Sequence, residues 1–370
     1  MQPPTPEGKS PPLTAFDTLF QPLPLGRGGV TLPNRVVMGP MTLNQATDSG
    51  HITPWIVEWY RRRAAGGVGA IIGAAVFVAP NGRGWPNAVG LADDSYLEGW
   101  RHCVEAAHAH GALFGTQLFH GGAASRVSLL GHAPLSASDW TREGFDPARA
   151  MTGAEVEQAI ADFAAAARRS LRAGCDFVEL HGAHGYLLHQ FWRRDVNRRT
   201  DRWGQPTAFP VAVARAVRAE IGPDVPLFYR FSLHADDPAA PNHPVTPDSL
   251  AEFLAALEEA GVDLWDISCW HESRRGYFGT DAWLPDWVRR YSAKPRLVAG
   301  NLLTPADAAT YLADGHAEAA ALARALISDA AWVARARAGQ ADRIRPWQEA
   351  DGPALKRGVD PGADTAVPSA

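Results

Sequence analysis

Cysteine is scarce in this 370-residue chain: Cys103, Cys175 and Cys269 stand far apart, with no Cys-x-x-Cys pair. That spacing excludes a zinc ribbon, an iron–sulfur centre and a disulfide framework, and leaves three reduced, buried thiols. Long apolar runs are missing too, and none reaches the roughly 18–20 residues that a membrane span requires. Neither sign of charge dominates. Lys and Arg number 35 against 40 Asp and Glu, giving a net charge of −5 and a pI near 6.2. Such a balance offers no general attraction for nucleic acid or an anionic membrane. The N-terminus, MQPPTPEGKSPPLTAF, is Pro-rich and polar and is not a secretory signal. Residues 1–15 therefore read as a flexible leader, and the protein as cytoplasmic. A Gly-x-Gly-x-x-Gly dinucleotide turn is also missing. Gly66-Gly67-Val68-Gly69 precedes a strand candidate instead of following one, so it reads as a helix cap and turn.

What is present is a rhythm. Short apolar runs at 35–39, 70–78, 113–118, 177–181, 227–232, 264–268, 296–299 and 319–323 alternate with amphipathic stretches. Clear helical patterns occupy 93–110, 154–173, 210–220, 249–260 and 305–313. Thr152-Gly-Ala-Glu155 and Thr304-Pro-Ala-Asp307 have capping-box spacing, and Thr53, Thr246 and Thr304 each precede a proline suited to a first helical turn. Gly111, Gly174, Gly261 and Gly315 follow helical patterns as caps. Eight strand–helix units predict an α/β protein, a single (β/α)8 TIM barrel. The glycine-rich stretch 20–33 predicts an N-terminal β-hairpin closing the barrel floor. Residues 119–150 and 182–206 predict extended loops after strands 3 and 4, on the face where such barrels build their chemistry. The catalytic domain is expected over 16–347, and the Gly/Pro/Asp-rich stretch 348–370 as a loose tail.

The most informative segment runs from His181 to Gly204, just past the fourth strand candidate. It sets two imidazoles and a phenol, His181, His184 and Tyr186, within six residues. Neutral imidazoles can grip a carbonyl oxygen without carrying charge, and a tyrosine hydroxyl can give a proton to a strong carbon base. A zinc reading of His181 and His184 would need a third protein ligand, and none is evident. Arg230 interrupts an apolar strand, so it faces either a ligand or a carboxylate such as Asp236. Gln117 is a second polar group on an apolar strand, suited to a heterocycle edge or to backbone. Gly300-Asn301 and Ala323-Arg324 follow strands seven and eight, where barrels of this kind bind phosphate; a glycine turn and a structural arginine are the plainer alternative.

In ordered motifs from Leu19 to Trp332 the chain resembles the old yellow enzyme family of FMN-dependent ene-reductases. The motifs are Asn34-Arg-Val-Val-Met-Gly-Pro-Met-Thr42, Gln117-Leu-Phe-His-Gly-Gly122, His181-Gly-Ala-His-Gly-Tyr186 with Asn197 to Gly204, then Gly300-Asn301 and Arg324. The resemblance implies FMN, with Pro40, Met41, Thr42, Ala74, Gln117 and Arg230 around the isoalloxazine ring. It implies that Gly300, Asn301, Ala323 and Arg324 hold the ribityl phosphate. Arg230 would sit at the ring edge where reduction places negative charge. The implied reaction uses NADPH or NADH as a transient reductant of the flavin, then reduces the activated C=C bond of an enone or enal. Flavin N5 would give hydride to the β-carbon, His181 and His184 would hold the carbonyl oxygen, and Tyr186 would protonate the α-carbon. Trp270 and Tyr277, in the loop after strand six, would line the substrate pocket. Ala323 departs from the family's usual glycine, and Gly121-Gly-Ala-Ala-Ser125 lacks its common arginine. No metal, nucleic acid or membrane partner is implied, and a homo-oligomer stays open. Three alternatives remain: a flavin-dependent dehydrogenase or demethylase of a small substrate, a non-catalytic flavin-binding protein and, third, a metal-dependent barrel hydrolase.

Overall fold

Eight short runs of the chain fold as parallel strands that close on one another. In the computed structural model, which describes residues 16–233, 245–269, 277–363 and 365, they are β1 (Val36–Met38), β2 (Ala70–Phe77), β3 (Leu113–Phe119), β4 (Phe177–Gly182), β5 (Leu227–Phe231), β6 (Leu264–Ser268), β7 (Arg296–Ala299) and β8 (Ala319–Leu322). Each pairs with its neighbours in sequence and β8 pairs with β1, so the sheet is a closed barrel without edges. The outer helices are α1 (Pro54–Ala65), α2 (Leu97–His108), α3 (Gly153–Arg172), α4 (Ala208–Ile221), α5 (Pro247–Glu259), α6 (Leu284–Tyr291), α7 (Pro305–Ala313) and α8 (Trp332–Arg337). The predicted (β/α)8 architecture is the one observed. No described helix is long and apolar enough to cross a membrane.

The helix starts follow the capping chemistry. Thr152 and Thr304 accept from the amides of Glu155 and Asp307, whose carboxylates accept in turn from the threonine amides. Gly66 caps α1 through its amide to Arg62 O, and a Cβ there would come within 1.7 Å of Ala330 O. The glycine cluster that resembles a dinucleotide turn is thus a tight passage between α1 and the chain before α8.

The two-residue period of a strand sorts each run into an inward and an outward face. Phe177, Phe228, Leu264 and Leu297 fill the lower barrel, while Val178, Leu180, Trp265 and Val298 pack beneath the helices. The expected hairpin is present. Leu23 and Pro24 pair antiparallel with Leu32 and Thr31, and Leu23, Leu25 and Leu32 plug the barrel bottom. Access to the interior is therefore confined to the opposite end. The expected long loops follow β3 and β4, and they bind one another: Leu187 N donates to His120 O at 3.0 Å, and Arg199 Nη1 to Ala137 O at 3.1 Å.

The stretch after Trp347 departs from the expected loose tail. It carries a short helix, Asp351–Lys356, with Leu355 buried in the core. Asp360 accepts two bonds, 2.6 and 2.7 Å, from Arg63 on α1, whose side chain is fully buried. Arg63 also lies 3.2 Å over the Trp59 ring and donates to Leu326 O at 3.1 Å. A Gly/Pro/Asp-rich composition is poor in periodicity, so it hides a segment anchored by single ion pairs and backbone bonds.

Candidate active site

β4 carries His181 as its penultimate residue, and after Gly182 the chain makes a strained turn. His184 takes φ +58°, a left-handed conformation that costs a side chain about 1–3 kcal/mol and persists only where the surroundings impose it. Here its amide donates to Ser232 Oγ at 3.1 Å, and its Nε2 bonds Ser268 Oγ at 2.8 Å. Gly185 N donates to His189 Nδ1 at 2.9 Å, and Gln190 Nε2 to Gly185 O at 2.6 Å. The helix Leu187–Trp192 is buried along its length and anchors the turn. Asn197, buried further on, donates from Nδ2 to Phe191 O and Trp203 O at 2.9 and 2.8 Å. A Cβ on Gly204 would meet Arg199 O at 2.2 Å. The segment from Asn197 to Gly204 is thus a brace that returns the β4 loop to the barrel.

The turn brings the three rings together. His181 lies edge-on to His184 with centroids 5.1 Å apart, and to Tyr186 at 4.9 Å. Phe119 supports Tyr186 at 4.5 Å, also edge-on. The three residues, with Pro40, Met41, Thr42, Gln117 and Arg230, line one cavity at the open end of the barrel. An adjoining cavity of about 360 Å³ shares His184 and Arg230 and extends to Gly300, Asn301, Ala323 and Arg324. The loops after β7 and β8 and the start of the short helix Arg324–Ser328 form its far end, with Arg324 exposed at the rim. Asn301 takes φ +65°, a second left-handed position in this wall.

Ala75, not Ala74, lines the inner cavity. The pairing of β2 with β3 shifts register between Ile72 and Ala75, which sets Ala75 opposite Gln117. Ala74 instead faces α1, its amide donating to Tyr60 Oη at 2.8 Å. A bulge of this kind leaves no trace in an alanine-rich sequence. Tyr277 is buried in the core and does not line either cavity. Trp270 lies outside the described residues, as does Asp236; among the described residues Arg230 pairs with the carboxylate of Asp266 on β6. Among the lining residues that escaped the sequence reading are Trp85 and Ser268. Trp85, in the loop after β2, carries only the weak signal of an aromatic beside glycines. Ser268 could have been found from alternation, since Leu264, Asp266 and Ser268 share one face of β6. No group of three or more metal-ligating side chains occurs among the described residues.

Electrostatics fix the form of both histidines. Burial, reinforced by His184 and Arg230, holds the His181 imidazole well below its usual pKa. Burial and Arg230 bring His184 down to about 3. Both rings are therefore neutral near pH 7, as carbonyl donors need to be. His181 Nδ1 accepts from Ala183 N at 3.4 Å, which leaves the proton on Nε2. Ser268 Oγ accepts from Arg230 Nη2 at 3.4 Å, and the tautomer in which its hydroxyl donates to His184 Nε2 leaves the ring proton on Nδ1. A folded pKa below the unfolded value means that the unfolded chain binds more protons once the pH falls below about 6.5. These rings therefore favour folding at neutral pH, and that contribution declines as the pH falls from 6.5 towards 3. Nitrogen chemical shifts of both rings are expected to stay those of neutral imidazole from pH 8 to 5, while urea midpoints decrease over the same range. A site titration near 6.5 would contradict this.

The family model described as the NADH:flavin oxidoreductase / NADH oxidase family matches residues 18–343. A NADPH dehydrogenase from Geobacillus sp. (strain WCH70) is 33% identical over 326 residues, covering 85% of this chain and 92% of that protein. A NADH oxidase from Thermoanaerobacter brockii is 33% identical over 350 residues, covering 90% of this chain; the chain spans only 52% of that protein's length. Among solved structures, morphinone reductase in complex with tetrahydroNAD superposes with a TM-score of 0.80 at 26% identity, covering 95% of this chain and 98% of that one. The old yellow enzyme homologue from Zymomonas mobilis gives 0.75 at 26% identity, with coverages of 87% and 92%.

Proposed function

The chain belongs to the NADH:flavin oxidoreductase / NADH oxidase family, that of the old yellow enzyme, and from that premise we propose an FMN-dependent NAD(P)H oxidoreductase that reduces the activated C=C bond of α,β-unsaturated carbonyl compounds. The donor set suits FMN. Arg324 at the rim, the Gly300–Asn301 backbone and the start of the short helix offer a dianionic phosphate a guanidinium and amides. The inner cavity offers a heterocycle the amide of Gln117, the hydroxyl of Thr42 and the guanidinium of Arg230. The combined space is in the range of cofactor sites, about 300–1,000 Å³. Bound there, FMN would supply the redox chemistry, carrying a hydride from NAD(P)H to the substrate.

The residues of the chain do the rest. Arg230, which lines the inner cavity, would set a fixed positive charge near the bound cofactor, where reduction would add negative charge, so no solvent would have to reorganise there. His181 Nε2 and His184 Nδ1 donate to the substrate's carbonyl oxygen and lower the cost of enolate charge. The Tyr186 hydroxyl gives its proton to the α-carbon. Trp85 and Phe119 form the apolar surround that excludes water from the developing carbanion. One observation carries this reading: two imidazoles held neutral and a phenol within 4.9 Å of one of them, all at the cavity that also holds Gln117 and Arg230. Binding FMN alone would require none of the three.

The test is an anaerobic titration. The purified protein is expected to be yellow, to bleach with NADPH or NADH, and to regain its colour with 2-cyclohexenone. Protein that stays colourless after reconstitution with FMN refutes the flavin site. Bleaching that an enone cannot reverse, but that a methylated amine reproduces without NAD(P)H, points to a dehydrogenase or demethylase instead.

A further inference from the structure

Beneath the cavity the barrel interior holds a polar cluster that the reaction above does not use in full. Gln117 on β3 stands in register with Glu179 on β4, and Arg230 on β5 with Asp266 on β6. Glu179 and Asp266 are completely buried, and Gln117 is nearly so. Gln117 Nε2 donates to Glu179 Oε1 at 2.7 Å, and Arg230 Nη1 donates to Asp266 Oδ2. The second oxygens, Glu179 Oε2 and Asp266 Oδ1, accept from no donor among the described residues. The two carboxyl groups are nonetheless close enough to share a hydrogen bond.

Two buried carboxylates facing each other with one guanidinium would leave a net negative charge in the barrel interior, at a cost of several kcal/mol by rough estimate. A single proton removes that cost. It gives Oε2 and Oδ1 a bond to each other and makes the cluster neutral. Burial and the charge of Asp266 both push the Glu179 carboxyl well above its usual range; burial raises Asp266 too, but Arg230 and the bond to Glu179 act against it, so Glu179 is the one of the pair that takes the proton.

We propose that Glu179 carries a proton that it donates to Asp266, and that this neutral frame fixes the two groups that reach the cavity, the Gln117 amide and the Arg230 guanidinium. Glu179 and Asp266 are then positioning residues. With its second oxygen committed to Asp266, Glu179 offers Gln117 only an acceptor. The amide must present Nε2 downward, which leaves Oε1 for the cavity. Asp266 offsets part of the Arg230 charge, so the pair sets how strongly the site favours the reduced cofactor. That last step rests on the ring placement proposed above; the proton does not.

Infrared spectra of the full-length protein at pH 7, with or without FMN, test the proton directly. A protonated-carboxyl C=O band, shifting in D2O, is expected in the parent and absent from Glu179→Gln. Flavin midpoint potentials test the positioning. Glu179→Gln keeps an acceptor for Gln117 and a donor for Asp266, and it should change the two-electron equilibrium constant by less than about threefold. Adding Asp266→Asn leaves Arg230 without a counter-charge and should raise the constant at least tenfold, about 30 mV upward. A missing band overturns the proton. A band that behaves as expected with unmoved potentials in both variants overturns the ring placement and the positioning role with it. Should the double variant fail to fold, Glu179→Gln still decides: a tenfold shift in that variant alone overturns the neutral frame.

Discussion

Tyr186→Phe is expected to slow reoxidation of the reduced protein by an enone by about 10²–10⁴-fold, the usual range for loss of a general acid. Reduction by NAD(P)H should be unchanged. The asymmetry comes from the position of the ring. Tyr186 is packed edge-on against Phe119 at 4.5 Å and His181 at 4.9 Å, and phenylalanine preserves those contacts. Only the hydroxyl is lost. The carbonyl grip and the cavity walls remain, so substrate binding should weaken little. Stopped-flow measurement of each half-reaction separates the effects. If both rates fall alike, Tyr186 is holding the site's shape and another group supplies the proton.

Asp360→Ala is expected to destabilise the fold by about 3–5 kcal/mol, because it strands a buried cation. Arg63 is fully buried, and both of its terminal nitrogens donate to Asp360. Its Nε donates to Leu326 O at 3.1 Å and Nη2 to Ile327 O at 3.4 Å, both within the short helix that opens on the larger cavity. Ser328 of the same helix donates to Asp351 at 2.9 Å, so the segment after Trp347 holds that helix at two points. Urea unfolding should show the loss, and FMN affinity should fall with it. Replacing Arg63 by Met together with Asp360 by Leu should recover much of the stability, as apolar replacement of a whole buried pair often does. Little change in the Asp360→Ala midpoint would mean that the pair is hydrated in solution.

Much of the architecture was legible in the sequence because its signals are local. Strand starts and ends follow apolar runs punctuated by Gly, Thr and Pro, and the Thr152 and Thr304 capping boxes form as their spacing predicts. The cluster of His181, His184 and Tyr186 is legible for the same reason, since one turn after one strand holds all three. What the sequence hid depends on distant partners. Asp266 pairs with Arg230 because β5 and β6 lie in one register, which no local pattern announces. The displacement of the site from Ala74 to Ala75 comes from a bulge in a run of small residues. Ser268 acquires a role only because the left-handed turn at His184 brings Nε2 to it.

The Arg63–Asp360 pair also has a consequence for biosynthesis. Its members are 297 residues apart, so α1 leaves the ribosome with a guanidinium whose carboxylate is not yet made. At about 5–20 residues per second, roughly 15–60 s separate the two. Throughout that interval the first unit of the barrel has a reason to stay open, since closing it would bury a lone charge. Folding of the cofactor end is thereby deferred until the chain near residue 360 has emerged. A nascent chain cut short before that point should be a substrate for proteases and chaperones, and should not form a slightly weakened enzyme.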